Sequence, residues 1–386
     1  MRHYLDFAAT SAIRPRAVAE AVAGFLAAGG GTPGRGGHAE ALDAGRMVLR
    51  CRRAVLEILG LPDDPTRVAF FQNATQALNT ALWGALRARD VLVVSSLDHN
   101  SILRPADALA RERGIEVRMI QADPEGRIDL QEAERLLEGA RMVVVNAVSN
   151  VLGVRLPVAS LAELAHRVGA LVLVDAAQSA GHVETTYGPD GADLVAFTGH
   201  KGLLGPQGTG GLWVRAGVDV DPLIRGGTGG NSLERDMPAA MPDRLEAGTS
   251  NAPGLAGLLA GCEHVLAEGV GAIHNREATL KARLREGLAG VPGIRLISPS
   301  APDGVGIVTL VADAVSPDRL AARLDRDFQV STRAGLHCAP EAHRVAGTAG
   351  TGALRLSLGW ASTEADVDRA IEGIRVIVGP TSVPVA

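Results

Sequence analysis

Aromatic side chains are scarce in this sequence, and apolar runs long enough to span a membrane are missing. Phe, Trp and Tyr make up 3% of the 386 residues, whereas hydrophobic residues together make up 46%. A buried core must therefore consist mainly of aliphatic side chains, chiefly Ala, Leu and Val. Because no apolar run approaches the roughly 20 residues that cross a bilayer, we expect no membrane-spanning segment.

The sequence also lacks a surplus of basic residues, and its cysteines are not paired in a motif. The formal net charge is -5, and without a basic stripe we expect no nucleic-acid partner. Cys51, Cys262 and Cys338 form no CxxC pair, which predicts neither a disulfide framework nor a metal site. The first residues lack the apolar core of a signal peptide, so we expect a soluble, cytoplasmic protein.

The chain length and an alternating pattern predict the fold class. A chain of 386 residues exceeds the usual size of one core, which favours two domains. From Arg67 onward, short apolar runs alternate with helical patterns, as in a mostly parallel sheet wrapped by helices. The predicted strands are Val68–Phe71, Val91–Ser95, Val117–Ile120, Met142–Asn146, Leu171–Val174, Leu194–Phe197 and Leu212–Val214. The predicted helices between them are Ala74–Arg87, Ile102–Arg113, Leu130–Glu138 and Ala159–Val168.

The segments on either side of this alternation are predicted to be helical or to form a smaller domain. His38–Leu59 has helical spacing, with Leu42 and Leu49 among the residues expected to be buried. The glycine-rich stretch Gly29–Gly37 is predicted to be a flexible loop that could lie over a ligand. One helix is expected from Asn251 to about Leu288. The elements predicted beyond it are strands Ile294–Ile297, Gly306–Val311 and Leu354–Leu358, and helices Pro317–Arg326 and Glu364–Val378.

A glycine-rich stretch after one predicted strand carries the most suggestive lysine. Thr198-Gly199-His200-Lys201 follows the strand Leu194–Phe197, and five further glycines follow by Gly211, a density that excludes a helix. Lys201 therefore lies just past a strand end, where open α/β sheets place their ligands. A lysine in a partly dry pocket has a lowered pKa and can form an imine with an aldehyde. The alternative is an exposed lysine on a glycine loop.

Four further candidate residues also follow predicted strands. Asp175 ends an apolar strand, where a partly buried carboxylate needs a partner such as a protonated pyridine nitrogen; a helix-capping role competes. Thr75 opens a helix whose N-terminus could bind a phosphate, or it belongs to an ordinary helix cap. His99 could stack on a flat ring or lie exposed on its loop. Asn150 could donate to an oxygen of a cofactor or substrate, or occupy a turn.

The C-terminal part offers a nucleophile and an anion-binding residue. Cys338 shares a glycine-proline loop with Arg333 and a histidine, and a solvent-exposed thiolate near cations is nucleophilic. Cys51 and Cys262 lie in helical patterns and are expected to be buried and inert. Arg355 lies in an apolar strand, which suggests bidentate binding of a carboxylate. The alternative for Arg355 is an edge-strand arginine that points to water.

Together, these residues resemble one known family in their order along an alternating α/β chain. The motifs are a helix-opening Thr75, His99, Asn150, Asp175 with Gln178, the Gly-His-Lys sequence, Arg333 and Arg355. The chain resembles the fold-type I pyridoxal-phosphate enzymes of aminotransferase class V, and within them the cysteine desulfurases that share an Arg-x-Gly-x-His-Cys-Ala loop. The resemblance implies an α/β fold with a mainly parallel seven-stranded sheet in a large domain and a small α+β C-terminal domain. It further implies an N-terminal segment (1–15) packed with the small domain (256–386), beside a large cofactor-binding domain (16–255).

The resemblance also implies a role for each matching residue. Lys201 would bond to the aldehyde of pyridoxal phosphate and move the Cα proton, and Cys338 would take the sulfur of L-cysteine as a persulfide. Thr249 matches a threonine that reaches the partner subunit's phosphate site, which implies a homodimer. The remaining implied roles are pyridine-nitrogen pairing for Asp175, a ring-oxygen contact for Gln178, ring stacking for His99, phosphate binding for Thr75, Thr198 and His200, and substrate binding for Asn150, Arg333 and Arg355.

Two departures from the family pattern leave alternatives open. Leu336 stands where many relatives carry another histidine, and Leu358–Thr363 departs from their aromatic-Asn-Thr run, so a larger cysteine conjugate or a selenium analogue is conceivable as substrate. The same scaffold could act as a C–S or C–Se lyase, racemase or epimerase with Cys338 as a bystander. A catalytically idle ligand sensor or sulfur-relay partner is the rival from another class. A protein that accepts the sulfur is a further expected partner, which the sequence does not identify.

Overall fold

Short runs rich in Val and Leu form the strands, as expected for side chains that pack well on a pleated surface. The computed structural model describes residues 2–34, 36–228 and 233–379. The N-terminal part forms β1 (His3–Tyr4), α1 (Arg16–Ala27) and α2 (Ala39–Ile58). The central part forms β2 (Val68–Phe71), α3 (Ala74–Ala85), β3 (Val91–Ser95), α4 (Asn100–Arg113), β4 (Glu116–Ile120), α5 (Leu130–Leu137), β5 (Met142–Asn146), α6 (Val158–Arg167), β6 (Leu171–Asp175), β7 (Leu194–Thr198) and β8 (Gly210–Val214). The C-terminal part forms α7 (Ala252–Glu268), α8 (Val270–Leu288), β9 (Ile294–Leu296), β10 (Ile307–Ala312), α9 (Pro317–Phe328), β11 (Val330–Ser331), β12 (Arg333–Gly335), α10 (Pro340–Val345), β13 (Ala353–Ser357) and α11 (Glu364–Val378).

The central strands form a seven-stranded sheet, as predicted. Its order is β2-β8-β7-β6-β5-β3-β4. The pairings from β7 to β4 are parallel, whereas β8 runs antiparallel to both β7 and β2. The carboxyl ends of β5 and β6 lie side by side, because Asn146 pairs with Asp175. Ligands of open α/β sheets bind at this edge.

Helices cover both faces of this sheet and bury aliphatic side chains. One core includes Val55 of α2 and Leu161 of α6, and the other includes Leu78 of α3 and Leu109 of α4. All four are at most 2% exposed. The two cores therefore consist mainly of Ala, Leu and Val side chains, as the composition predicts.

A second, smaller sheet lies in the C-terminal part of the chain. Its order is β12-β13-β10-β9, and all its pairings are antiparallel. Leu284, Leu324 and Ile374 pack against it from α8, α9 and α11. Together with the larger sheet, it gives the predicted architecture of a mainly parallel sheet and a small α+β unit.

The N-terminal segment binds to elements from the other end of the sequence. β1 pairs in parallel with β11. Leu5 N–H donates to the Ser331 carbonyl and Ser357 N–H donates to the Leu5 carbonyl, while Ser357 Oγ accepts from Ala8 N–H at 2.9 Å. Leu5 is fully buried within the small core. These contacts bring residues 3–8 beside β13.

Two helical predictions are wrong in detail. The expected single helix from Asn251 to Leu288 is two helices, α7 and α8, bent by 77°. The break falls at Gly269, whose φ of +85° lies in the left-handed region that glycine adopts readily. In α2, Leu42 and Leu49 are 49% and 39% exposed rather than buried. None of the helices in the described ranges could cross a membrane by itself, although α7 and α8 together satisfy the length and composition criteria across their bend.

Candidate active site

A cavity of about 200 Å³ beside the carboxyl ends of β5, β6 and β7 gathers the predicted site residues. All of them except Thr249 line it. The predicted residues at its wall are Thr75, His99, Asn150, Asp175, Gln178, Thr198, His200, Lys201, Arg333, Cys338 and Arg355. They come from the central sheet, the small sheet and the loops between them, so the cavity joins both parts of the chain.

Strand ends place the lysine and the carboxylate. Asp175 is the last residue of β6, and Lys201 follows the end of β7 by three residues. The turn between β7 and Lys201 requires glycine at position 199, because a Cβ there would lie 2.1 Å from Thr209 Oγ1. Lys201 itself lines the cavity and is not exposed, so the alternative of an exposed loop lysine is wrong.

The cavity changes the ionisation of both groups. Burial lowers the pKa of Lys201 to about 8, against the opposing effect of Asp175 and with a contribution from Arg355. Burial raises the pKa of Asp175, although Ala177 N–H donates to its Oδ1 at 2.9 Å. A carboxylate buried here is stabilised by a cation placed beside it. Lys201 can therefore supply a neutral amine, and Asp175 can pair with a cationic ring nitrogen.

One end of the cavity suits an anion. Ala74 and Thr75 at the N-terminus of α3 line it, and the Asn73 side chain caps this helix by accepting from Gln76 N–H at 3.0 Å. Thr198 Oγ1 is buried and has no hydrogen-bond partner within the described ranges. A helix N-terminus and an unused hydroxyl are what a bound phosphate would satisfy.

The two predicted histidines of the cavity are neutral. Ser101 N–H donates to His99 Nδ1 at 3.1 Å, so the proton of His99 resides on Nε2. Burial, with Lys201 nearby, lowers the pKa of His99 to about 4. Burial also lowers the pKa of His200 to about 4, and its Nδ1 lies 3.0 Å from Thr10 Oγ1. His99 lines the cavity and is not an exposed loop residue.

Arg355 is the largest fully buried side chain, at 1% exposure. Its Nη1 donates to the Asn150 carbonyl at 3.0 Å and its Nη2 to Asp6 Oδ1 at 3.1 Å. Its Nε, like Asn150 Oδ1, has no partner among the residues that the structure describes. The edge-strand alternative is wrong, because β13 lies between β12 and β10. An arginine that is held by two groups and whose Nε–H is unused can bind a carboxylate.

The cysteine loop is tied to the same cavity. Cys338 is the one exposed cysteine, and Cys51 and Cys262 are buried as predicted. Asn100 N–H donates to the Cys338 carbonyl at 2.7 Å, and Asn150 Nδ2 donates to the preceding carbonyl, of His337, at 2.7 Å. The thiol is therefore presented on a turn whose backbone is anchored on both sides.

Gln178 is already bonded to the N-terminal segment, and Thr249 lies outside the cavity. The Gln178 side chain donates through Nε2 to the Ala8 carbonyl at 3.0 Å, which leaves its Oε1 for other contacts. Thr249 lines a separate cavity of about 620 Å³, together with Gln76 and Leu49. Within one chain, Thr249 is thus not part of the wall around Lys201.

Sequence reasoning missed two acidic residues at this site. Asp6 pairs with Arg355, and burial raises its pKa although Arg355 opposes the shift. Asp98 is fully buried, its Oδ2 accepts from Ser95 N–H at 2.7 Å, and burial raises its pKa well above the ordinary value. Asp6 could have been identified from the sequence, because it is a single charge inside the otherwise apolar segment Tyr4-Leu5-Asp6-Phe7.

The small number of lysines in the sequence also points to the residue that can form an imine. The chain contains only two lysines, Lys201 and Lys281. Lys281 donates to the Ala301 carbonyl at 3.2 Å and does not line the cavity. Imine formation in this cavity is therefore open to Lys201 alone.

Comparison with known proteins identifies the family of this chain. Residues 3–370 match the family model described as aminotransferase class-V. The chain is 34% identical to the cysteine desulfurase of Cereibacter sphaeroides over 392 residues, which cover 98% of this chain and 96% of that protein. It is 33% identical to a probable cysteine desulfurase of Methanothermobacter thermautotrophicus over 385 residues, covering 97% and 94% of the two chains. The apo structure of the cysteine desulfurase from Thermococcus onnurineus NA1 matches with a TM-score of 0.90 at 32% identity, covering 98% and 94%. With this fold and this match along nearly its whole length, the chain belongs to the aminotransferase class-V family.

Proposed function

We propose that this protein is a pyridoxal-phosphate-dependent cysteine desulfurase. It converts L-cysteine to L-alanine and transfers the sulfur to Cys338 as a persulfide. The observation that carries this proposal is one cavity lined by the Lys201 amine, the Asp175 carboxylate, the Arg355 guanidinium and the Cys338 thiol. The relatives named cysteine desulfurase support it.

The cavity residues fit the cofactor. Lys201 would hold its aldehyde carbon, Asp175 its ring nitrogen, and the N-terminus of α3 with the unused Thr198 hydroxyl its phosphate. His99 would lie against the ring, with Gln178 and His200 at its polar substituents. When bound, pyridoxal phosphate supplies an electron sink for the pair released as Cα loses its proton.

The protein's own groups perform the remaining steps. Arg355 Nε binds the substrate carboxylate, with Arg333 and Asn150 completing that end of the cavity. Lys201 Nζ, whose neutral fraction is raised by its lowered pKa of about 8, accepts the Cα proton. The Cys338 thiolate then attacks the substrate sulfur. An S–S bond forms while the Cβ–S bond breaks, its electron pair stays with the carbon skeleton, and protonation of that skeleton gives alanine.

We further propose a homodimer in which Thr249 completes the phosphate site of a second copy. Thr249 lies in its own cavity, away from Lys201, beside the exposed apolar side chains of Leu49 and Ile224. Burial of this apolar surface in a second copy would account for the wrong burial prediction at Leu49. We also propose three parts of the chain, 1–15, 16–255 and 256–386. A cytoplasmic location and a protein partner that accepts the sulfur belong to the same proposal.

Product analysis tests the proposed function. The purified, cofactor-loaded protein incubated with L-cysteine and a thiol reductant should release alanine and sulfide in equal amounts. Pyruvate with ammonia would instead support the lyase alternative, and D-cysteine without alanine would support a racemase. Selenocysteine and cysteine conjugates, assayed in the same way, define the substrate range.

The pH dependence of cofactor attachment tests the role of Lys201. Only the neutral amine attacks an aldehyde, and the neutral fraction rises with pH through the Lys201 pKa of about 8. The rate at which pyridoxal phosphate attaches to cofactor-free protein should therefore increase up to about pH 8 and level off above it. Stopped-flow absorbance measures this rate. A rate that still rises steeply near pH 10 would contradict the lowered pKa.

A further inference from the structure

Behind the turn that carries Cys338, one threonine and two histidines form a continuous chain of hydrogen bonds. Thr348 Oγ1 lies 2.7 Å from His343 Nδ1, and His343 Nε2 lies 3.1 Å from His337 Nδ1. His337 Nε2 lies 3.2 Å from the Arg333 carbonyl oxygen. His343 and Thr348 are 0% and 1% exposed and do not line the cavity. Any effect of these two residues on catalysis must therefore pass through His337.

The Arg333 carbonyl oxygen sets the direction of every bond in this chain. A carbonyl only accepts, so His337 Nε2 carries a proton and donates it. In a neutral His337 the other ring nitrogen, Nδ1, is then an acceptor, and His343 Nε2–H donates to it. His343 Nδ1 in turn accepts from the Thr348 hydroxyl. The reverse direction would require His337 to be doubly protonated.

Electrostatics and ring geometry agree with this assignment. Burial, with Arg355 nearby, lowers the pKa of His337 to about 3 and that of His343 to about 4, so both rings are neutral. The ring planes differ by 22° and the centroids are 5.3 Å apart. Since the facing nitrogens are only 3.1 Å apart, the rings meet edge to edge, as an N–H···N bond requires.

The turn braced by this chain has an unfavourable backbone. His337 and Cys338 have φ angles of +49° and +56° in succession, a conformation that costs free energy in residues with a Cβ. The carbonyls of the same two residues accept from Asn150 Nδ2 and Asn100 N–H. The His337 ring adds a third attachment, so this conformation is held from the backbone and from the side chain.

We propose that Thr348 and His343 are positioning residues for the transfer of sulfur to Cys338. By fixing the tautomer and orientation of the His337 ring, they hold the turn that presents the Cys338 thiol to the cavity. Both ring nitrogens of His337 are engaged by protein groups, so His337 takes no part in proton transfer with the thiol. This inference rests on the proposed function, because it concerns the step in which Cys338 accepts sulfur.

Steady-state kinetics of three threonine variants test the proposal. Thr348→Val removes the hydroxyl at nearly constant volume and should lower kcat for alanine formation about tenfold or more, since small displacements of a reacting group are costly. KM for L-cysteine should stay within about twofold, because the carboxylate site is untouched. Thr348→Ser, which restores the donor, should recover most of the rate. Thr351→Val, which removes an exposed hydroxyl bonded to the Gly352 carbonyl on the same loop, is the control and should match wild type.

Two outcomes of those assays would overturn the proposal. One is a wild-type kcat in Thr348→Val. The other is a loss in Thr348→Ser as large as in Thr348→Val, with the cofactor absorbance of both proteins intact. A matched pair at the next position adds a check: His343→Gln keeps a donor in the place of Nε2, whereas His343→Leu removes it. Only His343→Leu should lower kcat and accelerate alkylation of Cys338 by iodoacetamide.

Nitrogen-15 NMR of the histidine side chains in the cofactor-loaded protein tests the same chain without turnover. Wild-type His337 should be the neutral Nε2–H tautomer; an Nδ1–H or doubly protonated ring would overturn the assignment. If wild-type protein forms no alanine from L-cysteine, the proposed function fails. The tautomer and alkylation results would still decide the hydrogen-bond chain, so the two failures are distinguishable.

Discussion

Replacing Cys338 by alanine should reduce alanine and sulfide formation from L-cysteine to below about one thousandth of the wild-type rate, because the residue that accepts the sulfur is gone. Cofactor binding should be unchanged, since Lys201, Asp175 and the α3 N-terminus do not depend on the thiol for their contacts. Alanine production and the cofactor absorbance spectrum, recorded on the same preparation, measure the two effects.

The other two cysteines are the matched controls for this variant. Cys51 and Cys262 are buried in the core around α2 and α7, so Cys51→Ala and Cys262→Ala should retain sulfur transfer. Mass spectrometry after a single turnover should find the additional sulfur on the peptide that contains Cys338. Undiminished sulfide release by Cys338→Ala would mean that the cysteine is a bystander and would favour the lyase alternative.

Replacing Lys201 by alanine should lower turnover by about 10³-fold or more, because one residue provides both the covalent attachment and the base for the Cα proton. Burial lowers its pKa to about 8, which raises the neutral fraction of the amine. No other lysine lines the cavity. Added small primary amines should restore part of the rate in proportion to their concentration.

The scarcity of lysine makes the attachment site unambiguous. Borohydride reduction of the cofactor-loaded wild type should place the label on the Lys201 peptide and leave Lys281, the only other lysine, unlabelled. In Lys201→Ala no peptide should be labelled. A label on Lys281, or one that survives in Lys201→Ala, would refute the assignment of the attachment site.

Residues at strand ends were the predictable part of this site. Asp175 and Lys201 follow apolar runs whose strand character is visible in sequence, and parallel strands bring their carboxyl ends to one edge. The cysteine loop and Arg355 were predictable as residues. Their contacts were not predictable, because the partner of Arg355 lies 349 residues away at Asp6.

The parts that sequence reasoning missed depend on tertiary structure. His343 and Thr348 look like ordinary helix and loop residues, and only the fold places them behind His337. The break at Gly269 was missed because helical spacing continues on both sides of a single glycine. Leu42 and Leu49 have the spacing of buried residues, but burial within one chain depends on what packs against that face.

The pairing of β1 with β11 has a consequence for biosynthesis. Residues 3–8 are translated well before their hydrogen-bond partners at Ser331 and Ser357. The seven-stranded sheet, complete by Val214, can assemble on the nascent chain, because domains fold as they emerge. Arg355 and its partner Asp6 meet only after translation has passed position 355, so a nascent chain that stalls between positions 214 and 355 has all seven strands of the sheet but no carboxylate-binding arginine.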